Sequence, residues 1–239
     1  RTWLDFVQSP DTLAVEYNVP LWSEEHWKLI DRSFRLLSPS GGRTIYVPLI
    51  CRTNLGNEQS MVRWISRNGD RYDYDFTVFD RYLDSVQQNL GQPKLVVLQV
   101  WDICQSQDAL KRGLWTDAQG GSTVREAREE LLDKGPRVTA LDPATGATSV
   151  LALPRYDDPA SKALWQPLFT AVRQRLARRG MEQVMVLGLM SDLLPGKDDV
   201  AFWQEISGDL PWAIHSHGAL PTAALVPGSR QLRGIADVR

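Results

Sequence analysis

The chain holds 239 residues, 43% of them apolar, with 27 Lys+Arg against 29 Asp+Glu and a formal net charge of −2. That apolar share supports a sizeable core and excludes disorder, and the near-neutral balance leaves no basic excess for a nucleic-acid surface. No apolar run approaches the roughly 20 residues that span a bilayer, so no membrane partner is expected.

The length fits one domain over residues 1–239, because α/β barrels run to about 250 residues as a single unit. The chain starts at Arg1 without a charged-then-apolar leader, so a processed product, trimmed domain or fragment is expected, and its compartment is not legible. Thr2 to Val7 reads as a short strand followed by a Ser9-Pro10 loop. Ser23 then reads as a helix N-cap, with Glu24 and Glu25 in the first turn and Trp22 and Trp27 at hydrophobic-staple positions. Trp27, Ile30, Phe34 and Leu37 form the buried stripe of that helix, and Ser40-Gly41-Gly42 ends it. Thr44 to Ile50 is the next strand, with Pro48 predicting a bend near its end.

A polar loop is expected from Arg52 to Tyr74, then a helix capped by Asp75 with Phe79, Tyr82, Leu83, Val86 and Leu90 on its apolar face. Lys94 to Trp101 is apolar enough for burial on both faces of a parallel sheet. Strand and helix alternate up to this point, the pattern of an α/β fold. From 103 to 158 the rhythm breaks into an excursion after the third strand: a short helix near Thr123 to Leu132, then a β-hairpin flanking Pro143 to Gly146. The alternation resumes with a helix around Ala163 to Leu176, in which Pro167 predicts a kink or the true start. A buried strand over Val184 to Met190, a helix marked by Val200, Trp203 and Ile206, and strands at Trp212 to Ser216 and Thr222 to Val226 complete the chain. About six strands of barrel type are counted, where a closed (β/α)8 TIM barrel needs eight, so the barrel is expected to be incomplete here and its open edges to limit solubility.

Ligands of parallel α/β folds bind at the carboxyl ends of the strands. Those ends carry Gln8 and Ser9, Arg52 and Asn54, Trp101 and Asp102, Ser191 and Asp192, and His215 and His217. A polar and aromatic rim above apolar strands suits a carbohydrate, whose hydroxyls bond to carboxylates and amides while indole faces cover its C–H side. Asp192 follows the apolar run Val184 to Met190 and is a candidate to orient a substrate group or manage a proton, with loop capping as the competing reading. Asp102 has the same placement and the same two readings. His215 and His217 lack a local His-x-x-x-His or carboxylate cluster, so no metal site is expected, and no cofactor motif is present. The Asn54 to Glu58 loop fits turn chemistry or ligand contact, and the arginines at 173, 175, 178 and 179 fit a solvated helix face.

Three stretches together resemble glycoside hydrolase family 123: Leu4 to Pro10 followed by Tyr17 to Trp27, the hairpin around Leu141 to Gly146, and Ala163 to Asp192. The resemblance implies a (β/α)8 barrel beside β-sandwich modules in a secreted or periplasmic protein. It also implies removal of terminal N-acetylgalactosamine with retention of configuration. In that mechanism the substrate's 2-acetamido carbonyl attacks the anomeric carbon, an Asp orients it, and the adjacent Glu protonates the leaving oxygen. Asp192 matches the Asp, but Leu193 stands where the Glu is expected, and leucine donates no proton. Either another carboxyl supplies the acid, with Asp102 and Glu58 the nearest, or the barrel binds carbohydrate without cleaving it, or it is a scaffold domain of a larger secreted protein. A two-carboxylate pairing of Asp102 with Asp192 on neighbouring strands is the further catalytic option.

Overall fold

The computed structural model describes residues 9–53, 56–67, 71–112, 131–190, 194–216 and 235–236. The strands expected over 2–7 and 222–226, and all but the end of the helix expected over 123–132, lie outside these residues.

Where a Ser9-Pro10 loop was expected, Pro10 opens a short helix α1, Pro10–Glu16, because its fixed φ suits a first helical turn. Helix α2, Glu24–Leu37, starts as expected: the Ser23 hydroxyl accepts the His26 N–H at 3.2 Å, and the Trp22 and Trp27 rings staple the entry at 5.3 Å. Strand β1, Thr44–Pro48, follows. The expected polar loop instead contains a short antiparallel hairpin of β2, Arg63–Ser66, and β3, Tyr72–Asp75. Helix α3, Thr77–Ser85, takes its N–H partner from Asp75, whose carboxylate accepts from the Thr77 amide at 3.1 Å. A π-turn follows, and Gly91, at φ +90°, turns the chain into β4, Leu95–Trp101.

Helix α4, Gln107–Arg112, comes next, then β5, Arg137–Leu141, and β6, Thr148–Ala152, the hairpin expected in the excursion. Helix α5, Ser161–Arg178, holds Pro167 in its interior, which therefore does not mark its start. Pro167 withdraws an N–H from the ladder, and the Leu164 carbonyl nearby accepts the Tyr74 hydroxyl at 2.7 Å. Strand β7, Met185–Met190, helix α6, Lys197–Ser207, and strand β8, Trp212–Ser216, fall where periodicity put them, and a two-residue β9, Ile235–Ala236, follows.

The result is a mixed α/β fold with two sheets. One is entirely parallel in the order β1-β4-β7-β8-β9, each new strand adding beside the last. That monotonic order is the arrangement within a barrel wall; closure over eight strands is not seen among the described residues. The other sheet, β3-β2-β5-β6, begins where β1 ends: the Cys51 amide donates to the Arg137 carbonyl at 2.7 Å and the Met61 amide to the Pro48 carbonyl at 2.9 Å.

Period-two alternation divides the parallel sheet. Val47, Leu98, Leu187 and Trp212 join the main core with the helices, while Tyr46, Val97, Val186 and Ala213 form a smaller cluster on the opposite face. The main core reaches the second sheet through an aromatic chain, in which Trp165 of α5 meets Trp64 of β2 at 5.5 Å and Trp203 of α6 at 5.2 Å. Of the arginines expected on a solvated face Arg178 is exposed, but Arg175 pairs with Asp80 at 3.2 Å, Arg179, just past α5, with Asp80 and Asp84 at 3.0 and 2.9 Å, and Arg173 with Glu182 at 3.3 Å.

Candidate functional site

The carboxyl ends of β1, β4 and β7 lie side by side, since β4 pairs with both of the others. At the end of β1, Arg52 adopts a left-handed φ of +55°, and its half-exposed side chain pairs with Glu58 at 2.7 Å. The loop between them is fixed from within. Asn57 is buried, donating to the Ile50 carbonyl at 2.9 Å and accepting the Thr53 hydroxyl at 2.5 Å. That is turn chemistry for Asn57. Asp11 of α1 clamps the same loop by accepting the Glu58 amide at 2.6 Å, and burial pushes the Asp11 carboxyl up from its ordinary range. Asn54 itself lies outside the described residues.

The end of β4 holds a register shift. Gln99 pairs with Gly188, yet Trp101 pairs with Leu189, so one extra residue is accommodated at Val100. Such a bulge re-aims the side chains that follow it. Gln99 keeps the parity of Val97, whereas Trp101 takes the parity of Leu189 and enters the helix-side core, 1% exposed. Its indole N–H donates to Asp199 Oδ2 in the first turn of α6 at 2.8 Å. The indole face expected to cover a sugar is therefore turned into the core, because simple alternation along β4 is broken at that point.

Asp102 is 3% exposed and closes the strand with a capping box. Its carboxylate accepts the Cys104 amide at 3.1 Å, while the Gln105 side chain accepts the Asp102 amide at 3.1 Å. Cys51 is buried and Cys104 half-buried; burial pushes the Cys51 thiol up to about 11 and moves the Cys104 thiol in the same direction. Strands β4 and β7 are neighbours, as an Asp102–Asp192 pairing requires, but Asp192 lies outside the described residues, as does His217. His215 occupies the register position between Met190 of β7 and Ile235 of β9.

Beyond these ends opens a cavity of about 330 Å³. The β4–α4 turn contributes Gln105 and Asp108, the base of the excursion contributes Lys134, Arg155, Tyr156 and Asp157, and the entry to α6 contributes Leu194, Lys197 and Asp199. Leu194 directly follows the 191–193 segment that carries Asp192. Asp199 is half-buried on this wall. Desolvation raises its pKa above the ordinary carboxylate range, the Trp101 indole and the Gly196 backbone oppose that shift, and Asp157 reinforces it. A half-buried carboxyl held by neutral donors in a cleft can keep its proton at a higher pH than a surface aspartate. Asp199 was not singled out from the sequence. Asp198-Asp199 behind Gly196 looks like acidic decoration of a helix start, and only the Trp101 contact separates it from that reading.

Among the described residues, no group of three or more His, Cys, Asp or Glu is placed to hold a metal ion, and no helix is long and apolar enough to cross a membrane.

A family model described as the catalytic domain of glycoside hydrolase 123 matches residues 7–194. Among solved structures, a family 123 glycoside hydrolase from Clostridium perfringens, studied for glycolipid glycan hydrolysis, superposes with a TM-score of 0.58 at 12% identity. The alignment covers 88% of this chain and 34% of that one, so the present chain spans about a third of that enzyme's length. A noncanonic maltogenic alpha-amylase, AmyB from Thermotoga neapolitana, aligns with a TM-score of 0.36 at 12% identity over 84% of this chain and 44% of its own, too distant to carry an argument. No curated protein sequence matches the chain.

Proposed function

Because this chain belongs to the glycoside hydrolase family 123 catalytic domains, we propose that it acts on a carbohydrate, cleaving an N-acetylhexosaminide with help from the substrate's own acetamido group. The observation that carries this reading is the family match across residues 7–194, which takes in Asp192, two residues before the cavity-lining Leu194 in sequence. In this reading the parallel strands are part of a (β/α)8 barrel wall, and flanking modules belong to the longer protein.

Asp192 orients the acetamido group so that its carbonyl oxygen attacks the anomeric carbon, and no protein nucleophile is needed. Arg52, Asn54, His215 and His217, which the sequence reading puts at or just past strand ends, are the groups offered for the sugar hydroxyls. Trp101 contributes from behind, through Asp199, rather than by stacking. Leu193 favours one competing reading, a barrel that holds carbohydrate without cleaving it.

The test is binding of an N-acetylgalactosamine thiazoline, which mimics the cyclised intermediate, alongside turnover of an aryl N-acetylgalactosaminide. Thiazoline binding that disappears in Asp192→Asn, together with turnover by the wild type, is the expected result. Binding without turnover favours the carbohydrate-holding reading, and no binding removes the substrate-assisted mechanism.

A further inference from the structure

We propose that Asp199 is the proton donor of this domain, standing in for the acid that Leu193 cannot supply. The inference rests on the hydrolase reading above and concerns the group that reading leaves unfilled.

Three features of the fold converge on Asp199. It sits in the first turn of α6, the helix that the 191–193 segment leads into, and its half-buried carboxylate lines the cavity beside Leu194. The bulge in β4 sends the Trp101 indole to its Oδ2 at 2.8 Å, which fixes the carboxyl from the core side. The alternatives are otherwise occupied. Asp102 is buried and caps its own turn, and Glu58 is paired with Arg52 beyond β1, two strands away from β7.

The surroundings also suit an acid. Asp199 faces Arg155 and Asp157 from the excursion, Lys134 beside them, Asp108 on α4, and Lys197 and Asp198 on its own helix. The balance raises its pKa, chiefly because the carboxylate is desolvated, and a general acid has to hold its proton at working pH. In the first half-reaction the Asp199 carboxyl gives its proton to the glycosidic oxygen. The bond from that oxygen to the anomeric carbon breaks with its electron pair staying on the oxygen, while the acetamido oxygen bonds to the anomeric carbon. In the second half, water attacks the anomeric carbon, its proton passes to the Asp199 carboxylate, and the acetamido bond opens.

The test uses the full chain with two N-acetylgalactosaminides, one with a dinitrophenyl leaving group that needs no proton and one with an alkyl leaving group that does. Asp199→Asn is expected to lower kcat/KM on the alkyl glycoside by ~10²–10⁴-fold and to leave the dinitrophenyl glycoside within about 10-fold. Its alkaline limb in the pH profile should vanish, while thiazoline binding persists and reports an intact fold. Trp101→Phe provides a second arm: removing the indole donor disfavours the carboxylate, so the alkaline limb should move to higher pH. Equal losses on both glycosides, or an alkaline limb unmoved in both variants, overturns the assignment while the hydrolase reading stands. A wild type that binds thiazoline but hydrolyses neither glycoside overturns both.

Discussion

The parallel sheet and the second sheet hung from its end are stabilised by different means. Strands β4 and β7 are packed from both faces by apolar side chains, and their polar content is one glutamine, Gln99, with an unpartnered carbonyl oxygen. The second sheet has one buried face and an exposed outer strand, β6, and it is tied down by individual polar contacts. Ser60 and Thr139 bond reciprocally at 2.8 and 3.0 Å, and Gln59 bridges Trp22 and Thr148 at 3.0 and 3.2 Å. The first sheet draws on burial and the second on placement, so the loops that carry candidate function are positioned by hydrogen bonds that each depend on one side chain.

Substitutions separate these two modes. The largest effect should come from Trp165→Ala, because Trp165 joins both regions, and losing a buried tryptophan costs ~3–5 kcal/mol. If the regions form one cooperative unit, calorimetry will show a single transition at lower temperature; two separated transitions would show that the second sheet melts on its own. Gly188→Ala probes the parallel sheet alone. A Cβ there overlaps Val97 Cγ1 on the neighbouring strand, so a loss of ~1–3 kcal/mol in urea unfolding is expected, with relief when Val97→Ala is added. Asn57→Ala probes the rim. It removes the bonds from Asn57 to the Ile50 carbonyl and the Thr53 hydroxyl, at ~1–2 kcal/mol, and limited proteolysis should then cut near residues 53–59 while the parallel sheet stays protected in hydrogen exchange.

A smaller, pH-linked effect concerns His26, which is buried with Nδ1 accepting the Trp22 amide at 3.0 Å and Nε2 at 2.7 Å from the Pro10 carbonyl. That pair of partners requires the neutral ring with its proton on Nε2. Burial lowers the His26 pKa, opposed by the Pro10 carbonyl and Asp11. The folded state therefore resists a proton that the unfolded chain accepts near its ordinary value of 6.5. This stability is fully present above that pH and is lost as pH falls toward the depressed folded value. Asp11 and Asp199, with raised values, work in the other direction: their contribution is complete below 3.8 and is lost as pH rises through their folded values. Melting temperature should fall between pH 8 and pH 5.5, and His26→Gln should flatten that slope; an unchanged slope would remove His26 from the account. The least effect belongs to Arg67→Ala, which breaks an exposed pair with Asp73 and should cost under ~1 kcal/mol.

The same division governs how much was legible in the residues. Leu95 to Trp101 and Met185 to Met190 are apolar runs that only a doubly buried strand explains, and the Ser23 cap with its tryptophan staple is a local signal that needs no tertiary context. Strands β2 and β3 were hidden, because Arg63-Trp64-Ile65-Ser66 and Tyr72-Asp73-Tyr74-Asp75 are short and polar and become strands only by pairing with each other and with β5. Asp102 could be placed at a strand end, but its capping partners depend on the turn that follows. Trp101 was located correctly and its direction misread, since a bulge leaves no mark in an alternating pattern.

That bulge also bears on how such a domain diverges. A bulge reverses the sequence parity of everything after it in the strand, so whether Val100 is left out of the ladder or paired acts as a two-way selector. In its present setting the selector gives the indole to the helix layer and Asp199. Taking Val100 into the ladder opposite Leu189 would shift Trp101 by one position to the face of Gln99, releasing the carboxyl and adding an aromatic surface in one step. Quenching of tryptophan fluorescence by an added sugar would report that change. A lineage that irons out this bulge can thus exchange an anchored acid for a stacking platform without altering either side chain.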